Sequence, residues 1–180
     1  HQFFGEPIIE LYYFGFLALR EEEEEQHYSQ LRRKLDEVSE NIGKQALEEM
    51  YHMTINYCAR KIRQGKSGYV EEALQLYKDG IERGILIKGG ELSPWAFTNV
   101  VKLALRLKRH AWIEQFIQRY SIMLPEKFRE NALHYNLAEL YYYTNRLADA
   151  QHHLNLVAFS DLNYYLGART MLAKIYYEEG

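Results

Sequence analysis

Apolar residues recur at three- and four-residue spacing almost throughout this chain, the pattern of helices that bury one face. Leu133, Leu137, Leu140 and Tyr141 form one stripe, and Leu147, Ala150, Leu154 and Val157 form the next. Between them Thr144-Asn145-Arg146 is a short polar turn, which makes the two helices antiparallel neighbours. The same grammar predicts helices over 7–19, 23–40, 44–64, 69–84, 93–108, 110–123, 127–144, 147–158 and 162–179, about nine in all. Breakers fall between them: Asn41-Ile42-Gly43, Gly65 to Gly68, and Gly89-Gly90. Ser93-Pro94 reads as an N-cap followed by proline at the first helical position, and Pro125 falls in the first turn of its helix. No stretch alternates with period two for long enough to suggest a sheet. The expected fold is all-α, built from helical hairpins.

Residues 133–160, LHYNLAELYYYTNRLADAQHHLNLVAFS, resemble a tetratricopeptide repeat. Leu137, Ala138 and Tyr141 fall where that family has its Leu, small residue and Tyr in the first helix. Ala150, Leu154 and Val157 match the second helix. A small residue lets two helices approach, and the large ones fill the groove beside it. The first-helix pattern returns at Leu172–Gly180 and stops before a second helix. Upstream the likeness weakens: Val70–Tyr77 resembles a second helix and Asn99–Leu105 a first. The equivalent small positions are Ala59, Val101, Ala138 and Ala173. The resemblance covers residues 44–180, with 1–43 an N-terminal helical pair, degenerate or capping. It implies an α-α superhelix of stacked antiparallel hairpins. The chain as a whole is similar to long, uncharacterised bacterial proteins of this repeat type.

Composition narrows the function classes. The 180 residues carry a net charge of −3, without the basic balance expected of a nucleic-acid binder. Residues 1–50 hold 12 acidic and 5 basic side chains, against 13 and 17 in residues 51–180. Much of the acid is the run Glu21–Glu25, read as a solvated connector. The single cysteine, Cys58, sits on an apolar face with Ile55, Ala59 and Ile62 and reads as a small core residue. Pro7–Leu19 is apolar but too short to span a bilayer, so no membrane association is expected. A reducing, cytoplasmic setting fits the lone thiol. A chain that starts on His1 and stops straight after a helical stretch reads as a piece of a longer protein.

No catalytic motif survives inspection. Gly65-Lys66-Ser67 lacks the glycine a phosphate loop needs at position 60, where Arg60 stands, and a helix precedes it. The histidines show no zinc-ligand spacing, and adjacent His152 and His153 point about 100° apart, as on an exposed helix face. The paired carboxylates Glu48-Glu49, Glu71-Glu72 and Glu178-Glu179 read as solvent faces. A non-enzymatic chain without cofactor or metal is the expectation.

In stacked helical hairpins the first helices line a concave groove. The resemblance places Ala132, Tyr135, Asn136, Glu139 and Tyr142 there on the best-matched repeat. It adds Thr170, Lys174 and Tyr177 on the following helix, and Trp95, Asn99, Lys102 and Arg106 on the preceding one. Asn56, Arg60 and Arg63 take similar places further back, with register uncertain by one. The set is more basic than the whole chain and rich in aromatic residues, which suits an acidic or partly acidic protein segment. Lys127 and Asn131 have the spacing of a carboxylate clamp but precede the groove positions, so a chaperone-tail clamp is disfavoured. Of the 16 tyrosines, Tyr141 and Tyr176 are expected in the core, with Tyr142 and Tyr177 turned toward the groove. The leading reading is an interaction module or scaffold. The rival is a helper or regulatory region of a larger enzyme or regulator. Self-association through Leu172, Ile175 and Tyr176 is a third possibility.

Overall fold

The apolar stripes become helices close to where the pattern puts them. The computed structural model describes residues 6–21 and 23–179. Residues 1–5, at the start of the expected 1–43 segment, and Gly180, at the end of 44–180, lie outside the described residues, as does Glu22 of the acidic run. Nine α-helices occur among the described residues: α1 Pro7–Arg20, α2 Glu25–Val38, α3 Lys44–Arg63, α4 Gly68–Glu82, α5 Pro94–Arg106, α6 His110–Tyr120, α7 Glu126–Tyr143, α8 Leu147–Leu156 and α9 Leu162–Glu179. The protein is all-α, with neighbouring helices packed on one another in repeat-like fashion. The chain divides into two compact units, His1–Leu86 and Ile87–Gly180. Position 43 falls inside the first of them, because α1 and α2 both pack against α3.

In the first unit α2 buries Tyr28, Leu31, Leu35 and Val38, one helical stripe. Tyr28 stacks on Tyr57 of α3 with ring centroids 4.3 Å apart, and Tyr69 of α4 meets Tyr57 edge-on at 5.7 Å. Lys61 is buried, its Nζ 5.5 Å from the Tyr57 ring centroid and 3.6 Å from Glu25 Oε1. Glu72 is not simply a solvent-facing carboxylate. Its Oε1 accepts from the Tyr28 hydroxyl at 2.8 Å and from Arg32 Nε at 2.7 Å, tying α4 to α2. Cys58 is buried as expected, 3.2 Å from the Tyr28 hydroxyl.

The second unit opens with a feature the sequence pattern did not suggest. Ile87–Lys88 and Glu91–Leu92 pair as a two-stranded antiparallel ribbon. Its turn is Gly89-Gly90, with φ of 59° and 84°, the left-handed backbone that a two-residue hairpin turn requires. Pro94 then starts α5 at the first turn, while Ser93 stands at the cap position without a side-chain hydrogen bond to the helix. Pro125 sits one place earlier than expected, at the N-cap of α7. Helix α7 is central: it packs against α5, α6, α8 and α9. Ala138 of α7 and Ala150 of α8 are fully buried in one cluster with Leu154, Val157, Ala168, Leu172 and Ile175. Tyr176 is not in that core; it is 56% exposed, because Ile175 and Leu172 turn inward instead. Asn131 pins the loop after α8. Its Nδ2 donates to the Ala158 carbonyl at 3.0 Å and its Oδ1 accepts from the Ala158 N–H at 2.8 Å.

His153 departs from the exposed-face reading. It is half-buried, its Nδ1 2.9 Å from Nδ1 of His134, so α7 and α8 meet through two imidazoles. Burial pushes both rings below the ordinary imidazole value, against the pull of Glu130 on His134 and of Asp149 on His153. A ring that resists protonation when folded binds fewer protons than the unfolded chain, so stability rises with pH across that window. Thermal unfolding is therefore expected to fall to a lower midpoint as pH drops through the histidine range, near 6.5. The double replacement H134F/H153F should flatten that dependence; an unchanged slope would count against the assignment.

Candidate functional site

The second unit carries an open cleft of about 270 Å³ lined by Pro94, Trp95, Thr98, Lys102, Phe128, Tyr135, Asp161, Asn163 and Tyr164. A second hollow, about 350 Å³, is lined by Lys102, Leu105, Arg106, Glu139 and Tyr143. Lys102 borders both, so the two hollows share a wall along α5 and α7. On α5 the lining residues Trp95, Thr98, Lys102 and Arg106 repeat at three- and four-residue spacing, which puts them on one face. On α7, Phe128, Tyr135, Glu139 and Tyr143 follow at steps of seven, four and four, again one face.

The walls are fixed by hydrogen bonds and aromatic contacts. Thr98 Oγ1 lies 3.1 Å from the Tyr164 hydroxyl and accepts from Asn136 Nδ2 at 3.3 Å, joining α5, α7 and α9. The Tyr135 and Tyr164 ring centroids are 5.5 Å apart. Tyr135 can lie there because α9 presents Gly167: a Cβ on Gly167 would sit 2.9 Å from Tyr135 Cε2. Burial pushes both hydroxyls above the ordinary phenol value, so at neutral pH they remain protonated. Trp95 stands 70% exposed at the rim. Lys102 and Arg106, one turn apart, make no hydrogen bond or ion pair with the described residues.

Glu139 departs from the expected groove display. It is only 6% exposed; Oε1 accepts from the Tyr135 hydroxyl at 3.0 Å, and Oε2 is buried with no hydrogen-bond partner among the described residues. Burial raises its carboxyl above the ordinary carboxylate value, opposed by Lys102 and by the Tyr135 hydrogen bond. Asn136 is fully buried, its Nδ2 also donating to the Ala132 carbonyl at 2.7 Å. It braces the groove wall and offers no exposed surface.

The other expected residues fall in three groups. Asn99 is exposed but lines neither hollow; its neighbour Thr98 holds the inward position. Tyr142, Lys174 and Glu178 satisfy one another: Lys174 Nζ lies 4.6 Å from the Tyr142 ring centroid, and the Tyr142 hydroxyl donates to Glu178 at 2.8 Å. Tyr177 is exposed beside that group in sequence, without a place in either hollow. Asn56, Arg60 and Arg63 belong to α3 of the first unit, where Asn56 and Arg63 are exposed. Arg60 Nη1 donates to the Leu19 carbonyl at 3.2 Å, which closes the last turn of α1. Thr98, Phe128, Asp161, Asn163, Tyr164 and Tyr143 were not anticipated. For Thr98 the available signal was the seven-residue step from Trp95 through Thr98 to Lys102.

Chemically the site offers aromatic faces, two cations that make no ion pair among the described residues, and one buried carboxyl. Among the described residues there is no cluster of three or more His, Cys, Asp or Glu able to hold a metal ion. No helix among them is long and apolar enough to cross a membrane. No family model, curated protein or solved structure matches the chain.

Proposed function

We propose that the second unit is a non-enzymatic interaction module that seats an acidic segment of another protein along α5 and α7. The observation that carries this reading is the pair Lys102 and Arg106. An ammonium and a guanidinium that make no hydrogen bond or ion pair among the described residues stand one turn apart beside an aromatic cleft with an exposed Trp at its rim. Aromatic and Arg side chains supply most of the affinity of protein interfaces, and unpaired surface charge selects the sign of the partner. The α7–α8 hairpin, with Ala138 and Ala150 buried in one cluster, supports a tetratricopeptide-like reading of residues 133–160. A cytoplasmic setting belongs to the same proposal, supported by the buried free thiol of Cys58.

The test is fluorescence polarisation with a labelled peptide alternating Glu and Phe. Binding is expected to weaken with rising salt and by at least roughly tenfold in K102E/R106E. Affinity indifferent to salt and to that double reversal would remove the reading.

A further inference from the structure

We propose that Glu139 tunes the charge of this groove: its carboxylate opposes an acidic ligand at Lys102 and Arg106, and its protonation strengthens binding. The proposal rests on the groove reading above. Its basis is placement. Glu139 lines the same hollow as both cations, is 6% exposed, and keeps one oxygen, Oε2, buried and without a hydrogen-bond partner among the described residues. A surface carboxylate there would be screened by water and of little consequence. A buried one acts across a low-dielectric wall, where charges several ångströms apart still influence each other strongly.

The groups facing it permit a change of state. From α5 come Lys102 and Arg106; from α7 come Tyr135, whose hydroxyl donates to Oε1, and Tyr143; from α9 comes Tyr164. None of the described groups donates a hydrogen bond to Oε2, so no donor has to leave when that oxygen takes a proton. Burial already favours the neutral carboxyl. The sign follows. Ionised Glu139 partly cancels the field of Lys102 and repels a ligand carboxylate. Neutral Glu139 leaves both cations uncompensated. By linkage, an acidic ligand must in turn raise the carboxyl's affinity for its proton.

Glu139→Gln is nearly isosteric and can still accept from Tyr135. It is compared with the wild type using the same Glu/Phe peptide, from mildly alkaline to mildly acidic pH. The ligand's own titration cancels in the ratio of the two affinities. E139Q is expected to bind roughly tenfold tighter at the alkaline end, with the ratio falling toward one as the wild-type carboxyl protonates. The Glu139 carboxyl titration, followed by carbon NMR, should move upward when the peptide is added. Equal affinities at every pH, weaker binding by E139Q, or an unmoved titration would overturn the proposal while leaving the groove intact. Failure of the wild type to bind the peptide, or preference for a Lys/Phe peptide, would overturn the groove reading and this inference with it.

Discussion

Replacing Tyr57 by Ala is expected to cost the first unit about 3–5 kcal/mol. Tyr57 is fully buried and is the centre of a three-ring contact. Tyr28 of α2 stacks on one side at 4.3 Å, and Tyr69 of α4 meets it edge-on at 5.7 Å. The ring therefore joins three helices at one point. It also lies 5.5 Å from Lys61 Nζ, so its loss strips a buried ammonium of that ring and leaves it Glu25, 3.6 Å away. That places the cost at the upper end for an aromatic truncation. Typical domains are stable by only about 5–15 kcal/mol, so the variant should be close to unfolding. Urea denaturation, with hydrogen exchange of α3 amides, reads the effect. Tyr57→Phe keeps the ring and removes only the hydroxyl, which bonds Tyr69. It should cost about 0.5–1.5 kcal/mol. Equal losses for the two variants would mean that the hydroxyl, and not the ring, holds the helices together.

The second large effect separates two alanines that the repeat pattern treats alike. Ala138 is fully buried between α7 and its neighbours; Ala173 is exposed on α9. Ala138→Leu forces a larger side chain into a packed cluster and is expected to cost about 1–3 kcal/mol. Ala173→Leu should change stability by no more than about 0.5 kcal/mol. Paired thermal denaturation decides the point. A large loss at Ala173 would mean that α9 packs as a full first helix of the repeat.

These positions show why the helices were legible and the site only partly so. Helix limits follow from local pattern, and those limits agree to within a few residues: 44–64 became Lys44–Arg63, and 147–158 became Leu147–Leu156. The groove depends on which face of a helix its neighbours cover, which no local pattern states. On α5, Trp95, Lys102 and Arg106 line the hollows, while Thr98 takes the inward place and Asn99 lines neither. On α7, Asn136 is wholly buried and Glu139 nearly so, although Glu139 still lines the second hollow. That helix touches α5, α6, α8 and α9, so little of it is left for a polar stripe. Polar residues are carried inward and held by other side chains, as Asn136 is by Thr98. The resemblance to a repeat marked both as groove-facing because it assumes an open face on that helix.

Cys58 carries a last consequence. It is the chain's single cysteine, it is fully inaccessible, and burial pushes its thiol up to about 12. A thiol in that state is inert toward alkylating reagents until the helices around it separate. The second unit contributes no competing sulfhydryl. The rate at which the native protein takes up one alkyl group, read as a single mass increment, thus clocks the breathing of the first unit.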